Sequence, residues 1–320
     1  MVTMQRNQAI IAGVVAAVAI LVIGFLLLSG GSDDPPGASA SPSASAASAS
    51  AAPSASATPQ LNAELLDRRW TVLLVGLDTD SSRASRGEAV NSDALMLVSV
   101  SADYSEVALV SLPRDTVDVP LPDGSTYERK INALYGQEGL DGLVGAMEAL
   151  YEQPIDGYLA LNMDDFAALV DGVGGVEVSP DEPIRDPAAA GIDIEAGTQT
   201  IDGSTAEGYV RTRFDQDYGR MGRQQEVVVE IVRRLADPER DLDVRSLIDG
   251  LESLETNLPF EDLDTLLEIA RRSLDADVEG LVIEPPLITF EGDRGDGRGY
   301  VLEPDVEAIR GEVRELIGEE

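Results

Sequence analysis

Twenty consecutive uncharged and mostly apolar residues, "AIIAGVVAAVAILVIGFLLL" at 9–28, constrain this chain more than any other feature. Wound as an α-helix at about 1.5 Å per residue, such a run rises about 30 Å, which matches the hydrocarbon core of a bilayer. Lipid offers backbone N–H and C=O groups no partner, so a lone span has to be helical. Arg6 precedes the run, and Asp33 and Asp34 follow it. Positive charge before the span predicts a cytoplasmic N-terminus over residues 1–8 and an extracytoplasmic remainder. A cleaved signal peptide is the competing reading, because "ASA" motifs follow; the run exceeds the ~7–15 residues of a signal core. We therefore expect one transmembrane helix over 9–28 and a single-pass protein of the cell membrane.

Residues 29–60 are mostly Ser, Ala, Pro and Gly, with "SASAASASAAPSASA" at their centre. That composition cannot bury a core and reads as a tether. It leaves 61–320 as the folded, extracytoplasmic domain. "TVLLVGL" (71–77) reads as a buried strand ending in a loop. "ALMLVSV" (94–100) and "EVALVSL" (106–112) flank "SADYS" and read as a hairpin. "GLDGLVGAMEALYE" (139–152) has helical spacing, "GYLALN" (157–162) reads as a strand, and "MDDFAALVDGVG" as a helix stopped by glycine. "GVEVS" (175–179) is a further strand, and Ser204 with Glu207 makes a capping-box pattern for "STAEGYVRTR". An amphipathic helix is expected over 220–235, then helices over 242–255 and 260–275. Strands near 285–290 and 299–302 and a helix over 304–317 complete the chain. Strands interleaved with helices predict an α/β layered domain, and the hairpin makes its sheet mixed.

Composition narrows the chemistry. The chain has no histidine and no cysteine, so Ser-His-Asp and Cys-His catalysis, disulfides and the common zinc sites are excluded. What remains is carboxylates, arginines, hydroxyls, amides, one lysine (Lys130) or a hard metal ion. A net charge of −36 argues against nucleic acid as a partner, since duplex binding needs a broad basic face.

Against that acidity, "YVRTRFDQDYGRMGRQQ" (209–225) holds Arg211, Arg213, Arg220 and Arg223. The planar guanidinium fork suits phosphate. In a helix starting near Arg220, Arg220, Arg223 and Gln224 share one face of its first turn, where free N–H groups favour an anion. The alternative is surface pairing with Asp215, Asp217 and other acids. In "GLDTDSSRASRGEAVNSDALML" (76–97), Asp78 and Asp80 follow a strand and Asp93 opens the next. Ligands of open α/β sheets bind beyond strand carboxyl ends, where two carboxylates can hold a divalent cation beside phosphate oxygens. The alternative is a turn-forming Asp78 and a strand-capping Asp93. Arg114 in "SLPRD" and Lys130 in "RKINALYG" are the remaining candidates, with a strand-end ion pair and an ordinary surface lysine as the alternatives. Carboxylates, arginines and no histidine suggest phosphoryl chemistry run by a metal and by positioning.

The order "VGLD", "SDALMLVSV", "VALVSLPRD", "KINALYG", "GYLALNMDDFAALVDGVGGVEV" and "YVRTRFDQDYGRMGRQQ" resembles the LytR–CpsA–Psr family over roughly residues 70–235. The resemblance implies an α/β/α sandwich around a mixed central sheet, preceded by a membrane anchor. It implies transfer of a glycopolymer, such as wall teichoic acid, capsule or arabinogalactan, from a polyprenyl-pyrophosphate donor to peptidoglycan through a phosphodiester. Carried over by motif, Asp78 and Asp93 match the aspartates that bind Mg2+ (or Mn2+). Arg114, Lys130, Arg211, Arg213, Arg220 and Gln224 match the lipid-pyrophosphate set, with Arg223 in the same motif. Arg114, Asp93 and Arg220 are the expected catalytic residues. The family often has Arg-Ser-Asp where this chain reads "NSD" (91–93), and Arg83 or Arg86 is the nearby substitute. Asp80 competes with Asp78 as second metal ligand. The prenyl chain implies an apolar tunnel, for which "LVGAMEALYE" and "DDFAALVDGV" are candidate walls; plain core is the other use of such residues. A pyrophosphatase on the same lipid and a non-catalytic lipid-phosphate-binding regulator are the alternative functions.

Overall fold

Strand residues that are apolar on both faces demand a sheet covered on both sides, and this chain builds one. The computed structural model describes residues 61–79, 86, 90–187, 191–236, 243, 254–259 and 262–318. The expected span at 9–28, the tether, Asp80, Arg83 and nearly all of the helix expected over 242–255 lie outside the described residues. Among the described residues no helix is long and apolar enough to cross a membrane.

The central sheet has six strands: β1 (Trp70–Leu77), β2 (Ser92–Val100), β3 (Glu106–Ser111), β4 (Gly157–Asn162), β5 (Glu255–Thr256) and β6 (Asp277–Val282). Their order is β5-β4-β1-β2-β3-β6. β1 pairs parallel with β4, β3 pairs parallel with β6, and β2 runs antiparallel between β1 and β3. β5 is antiparallel to β4, so the sheet is mixed, as expected. Side chains alternate across it. Val72, Met96, Val98 and Leu109 enter one core, while Leu73, Val75, Leu97 and Val110 enter the other.

Helices cover both faces. α1 (Tyr135–Tyr151) buries Leu143, Ala146, Met147 and Leu150 in the second core, together with Ile309 and Val313 of the C-terminal helix Val306–Ile317. α2 (Met163–Gly172), α3 (Gly203–Arg211), α4 (Gln216–Ala236) and α5 (Leu263–Arg272) supply the first core. The α/β/α layering is therefore observed.

Several local expectations change. The "GVEVS" strand, observed as Val176–Val178, pairs with Gln199–Ile201 in a separate two-stranded sheet. α3 begins earlier than its capping-box pattern suggests: Asp202 is the cap and accepts from the Thr205 N–H at 2.9 Å, while Glu207 pairs with Arg211 instead. α4 begins at Gln216, not near Arg220, so Arg220 and Gln224 lie beyond the first turn and its free N–H groups. Glu255, expected in a helix, is strand β5. β6 is not expected from sequence, because "DVEGLV" is an edge strand with no buried residue and no apolar run. The late strands are Ile288–Asp293 and Tyr300–Pro304, a hairpin.

The β2–β3 turn is closed by Asp103, which accepts from Ser101 Oγ at 2.8 Å and from Ser105 Oγ and N–H at 2.7 and 3.1 Å. The Ser105 hydroxyl, above all, pulls this carboxyl down to about 2. A depressed carboxylate contributes stability that is present above its unfolded pKa, near 4, and is lost as pH falls toward 2. Asp103→Ala is therefore expected to lower the melting temperature at neutral pH and to flatten its fall between about pH 4 and 2. Thermal melts across that range check it.

Candidate functional site

The β1 strand, β3 and β4 run in one direction, and the residues that follow them meet at one edge of the sheet, where ligands of such sheets bind. Asp78 follows β1, its N–H bonded to the Asn91 carbonyl at 2.8 Å. Gly76 pairs with Ala94 but Leu77 with Ser92, so Asp93 is the extra residue of a β-bulge. Bulges re-aim side chains, and this one presents the Asp93 carboxylate to the cleft beside Asp78. Arg114 follows β3 through Pro113, in a turn closed by Thr116, whose N–H bonds to the Pro113 carbonyl at 3.1 Å.

These groups line a cleft of about 420 Å3 with Arg211, Arg213, Arg220, Gln224 and Asp186. Arg114 donates from Nη1 to Asp93 Oδ2. Among the described residues, Asp93 Oδ1, Arg114 Nε and Arg220 Nε are buried atoms with no hydrogen-bond partner. Such atoms are costly unless something completes them. Arg220 is only 3% exposed and pairs with Asp217 at 3.5 Å. Burial pulls the Arg220 guanidinium below its ordinary range, Asp217 opposes the shift and Arg114 adds to it. Burial likewise pushes Asp93 up, Arg114 pulls it down, and Asp78 pushes it up again. Buried Arg220 and half-buried Arg114, with unmet N–H groups, suit a multiply charged anion; half-buried Asp93, with an unmet oxygen, suits a cation.

An apolar cavity of about 120 Å3 adjoins the cleft and shares Ala94, Met163, Val210 and Gln224 with it. Leu74, Met96, Leu159, Phe166 and Val228 line it further in. A Cβ on Gly76 would stand 2.9 Å from that of Ala94, so two small residues keep this space open. Phe166 comes from the "DDFAALVDGV" helix, as expected for one wall. "LVGAMEALYE" belongs to α1 on the opposite face of the sheet and is core.

The LytR_cpsA_psr family model matches residues 38–306, most of the chain. The chain belongs to the LytR_cpsA_psr family. It is 32% identical to Biofilm regulatory protein A of Streptococcus mutans over 208 residues, covering 60% of this chain and 50% of that protein. It is 31% identical to the polyisoprenyl-teichoic acid–peptidoglycan teichoic acid transferase TagU of Enterococcus faecalis over 200 residues, covering 61% of this chain and 63% of that protein. The matched region thus spans about half to under two thirds of these relatives. The crystal structure of Bacillus subtilis TagV superposes with a TM-score of 0.63 at 25% identity, covering 78% of this chain and 98% of that one.

Within this family fold, the expected residues do not all converge. Asp78, Asp93, Arg114, Arg211, Arg213, Arg220 and Gln224 share the cleft. Arg211 and Arg213 also make i,i+4 ion pairs, with Glu207 at 2.5 Å and Asp217 at 3.0 Å, so the surface-pairing alternative holds for them in part. Arg223 does not line the cleft. It is buried, donating to the Tyr209 and Thr212 carbonyls at 2.9 and 2.5 Å and to Asp215 at 2.6 Å. Those bonds hold the backbone that carries Arg211 and Arg213. Lys130 also lies outside the lining and pairs with Asp115 at 2.9 Å. Asp186, a third carboxylate at the cleft, went unnoticed in sequence; the Thr212 hydroxyl donates to it at 2.7 Å. No local motif surrounds Asp186, and only the fold brings it near Thr212. Among the described residues no three acidic side chains are grouped closely enough to enclose a metal unaided.

Proposed function

We propose that this chain is a membrane-anchored phosphotransferase that moves a glycopolymer from a polyprenyl-pyrophosphate lipid onto a peptidoglycan hydroxyl. One observation carries the reading. The buried Arg220 and the half-buried Arg114, each with an unmet N–H group, face a cleft that adjoins an apolar cavity, the pairing a diphosphate head and an isoprenoid tail require. The similarity to the polyisoprenyl-teichoic acid–peptidoglycan teichoic acid transferase TagU of Enterococcus faecalis supports the same chemistry. The apolar run at 9–28 would hold the N-terminus in the cell membrane, with 61–320 on the outer side.

In this reading Arg114, Arg220, Arg211, Arg213 and Gln224 bind and orient the diphosphate. The acceptor hydroxyl oxygen bonds to the phosphorus nearest the sugar, the pyrophosphate P–O bond breaks, polyprenyl phosphate leaves, and the hydroxyl proton passes to solvent. Negative charge grows on the bridging oxygen, and the preorganised guanidiniums of Arg114 and Arg220 offset it. The unpartnered Asp93 Oδ1 and the adjacent Asp78 fit a hard divalent cation, Mg2+ or Mn2+, which would neutralise phosphate oxygens. Arg114, bonded to Asp93, keeps that carboxylate oriented.

Transfer from a purified lipid-linked donor to peptidoglycan tests the proposal. A phosphodiester-linked product is expected. Polyprenyl phosphate released at an equal rate without peptidoglycan would make the protein a pyrophosphatase, and donor binding without turnover would make it a binding module. Ala94→Leu should fill the mouth of the apolar cavity. It is expected to raise KM about tenfold for long-prenyl donors and little for short ones, since a few lost methylene contacts amount to that factor.

A further inference from the structure

A second cleft, of about 460 Å3, adjoins the first through Arg213 and is lined also by Asp115, Asp217, Tyr218, Glu291 and Tyr300. Its size falls within the roughly 300–1,000 Å3 of small-molecule sites. Its chemistry is the inverse of its neighbour's. Tyr218 and Tyr300 come from α4 and the C-terminal hairpin, far apart in sequence, and both hydroxyls donate to one carboxylate, Glu291, at 2.9 and 2.6 Å. Burial, then the bond to Glu291, pushes the Tyr300 phenol up to about 12, so it stays protonated and committed to that bond. The wall therefore offers mostly lone pairs, from three carboxylates and two phenol oxygens, against the donors of Arg213 and Gln216. Arg213 is held by Asp217 at 3.0 Å, and Lys130 by Asp115 at 2.9 Å. Phosphate is disfavoured there, whereas hydroxyl and amide N–H groups are favoured. Tyr300 is 48% exposed although large and aromatic, leaving a ring face available to an amphipathic ligand.

We propose that this cleft holds an uncharged, hydroxyl- and acetamido-bearing stretch of the acceptor glycan, with Tyr300 and Glu291 as positioning residues. The inference rests on the transferase reading above. It explains how one end of the sheet serves two substrates: an arginine-rich cleft takes the diphosphate, and a neighbouring acceptor-rich cleft delivers a neutral sugar hydroxyl past Arg213 and Asp217.

The test uses the full chain in detergent and two readouts. The probe is the tetramer of β-1,4-linked N-acetylglucosamine, followed by saturation-transfer difference NMR. Signals on its acetyl and ring protons are expected with the parent chain and are expected to disappear with Tyr300→Ala. In the transfer assay, Tyr300→Ala and Glu291→Gln are expected to raise the peptidoglycan KM about tenfold, the loss of one good contact, while donor KM stays within twofold. Tyr300→Phe, which keeps the ring, should retain part of the affinity. Tetramer signals that survive Tyr300→Ala, or a rise in donor KM in place of acceptor KM, would overturn the proposal. If the parent chain shows no transfer, the transferase reading fails, and the NMR comparison still decides whether the cleft binds glycan.

Discussion

Arg220→Ala is expected to lower kcat/KM for glycopolymer transfer by about 10²–10³-fold, the range for deleting one preorganised donor aimed at developing charge. Arg220 is 3% exposed, and among the described residues its Nε has no partner and its one ion pair is to Asp217, at 3.5 Å. Such a group costs stability where it stands, as its lowered pKa reflects. Its removal should therefore leave the melting temperature unchanged or raise it, while activity collapses. That divergence separates a functional role from a structural one. Arg220→Lys should not rescue, because an ammonium lacks the planar fork that spans two phosphate oxygens. Transfer within threefold of the parent would remove Arg220 from the site. Asp217 keeps its 3.0 Å partner Arg213 in the variant, so the cleft wall stays paired.

The second large effect concerns stability. Glu230 and Arg234 are 6% and 3% exposed and pair on α4 at 2.7 Å. Glu230 also accepts from Arg233 at 3.3 Å and from the Glu177 N–H at 3.4 Å, and Arg234 donates to the Gly174 carbonyl at 3.4 Å. This network ties α4, which carries Arg220 and Gln224, to the chain after α2. Glu230→Ala leaves a buried, uncompensated guanidinium and is expected to cost about 3–5 kcal/mol. Glu230→Gln should cost less, because its amide oxygen still accepts. Replacing both residues by apolar ones of similar volume, Glu230→Leu with Arg234→Met, should recover most of the loss. Denaturant midpoints for the three variants check the order. A Glu230→Ala midpoint equal to the parent's would mean that water already solvates the pair.

The two arginines Arg223 and Arg220 show how far sequence carries the site. They lie three residues apart in one motif, yet one holds the loop backbone and the other faces the cleft. Spacing on a helix says which residues share a face, not which neighbours lie opposite. Here the neighbours of Arg223 are the Tyr209 and Thr212 carbonyls of the preceding turn. The first turn of α4 is hidden in sequence for a related reason. Apolar periodicity begins near Met221, but the helix extends back through the polar Gln216–Arg220 segment. β6 carries no readable signal, because "DVEGLV" mixes two acids and a glycine with three apolar residues in no regular alternation.

Sequence alone determined the layered α/β class, strands β1 to β4 of the central sheet and the pool of residues from which a site could be made. Apolar period and the absence of histidine and cysteine are local, additive properties that need no partner to be read. Tertiary structure decided the rest: the bulge that turns Asp93 into the cleft, the entry of Asp186, the side of the sheet that holds the apolar cavity, and the second cleft under Tyr300. Each depends on contacts between segments distant in the chain, and the free energy of a buried charge is set by what surrounds it in space.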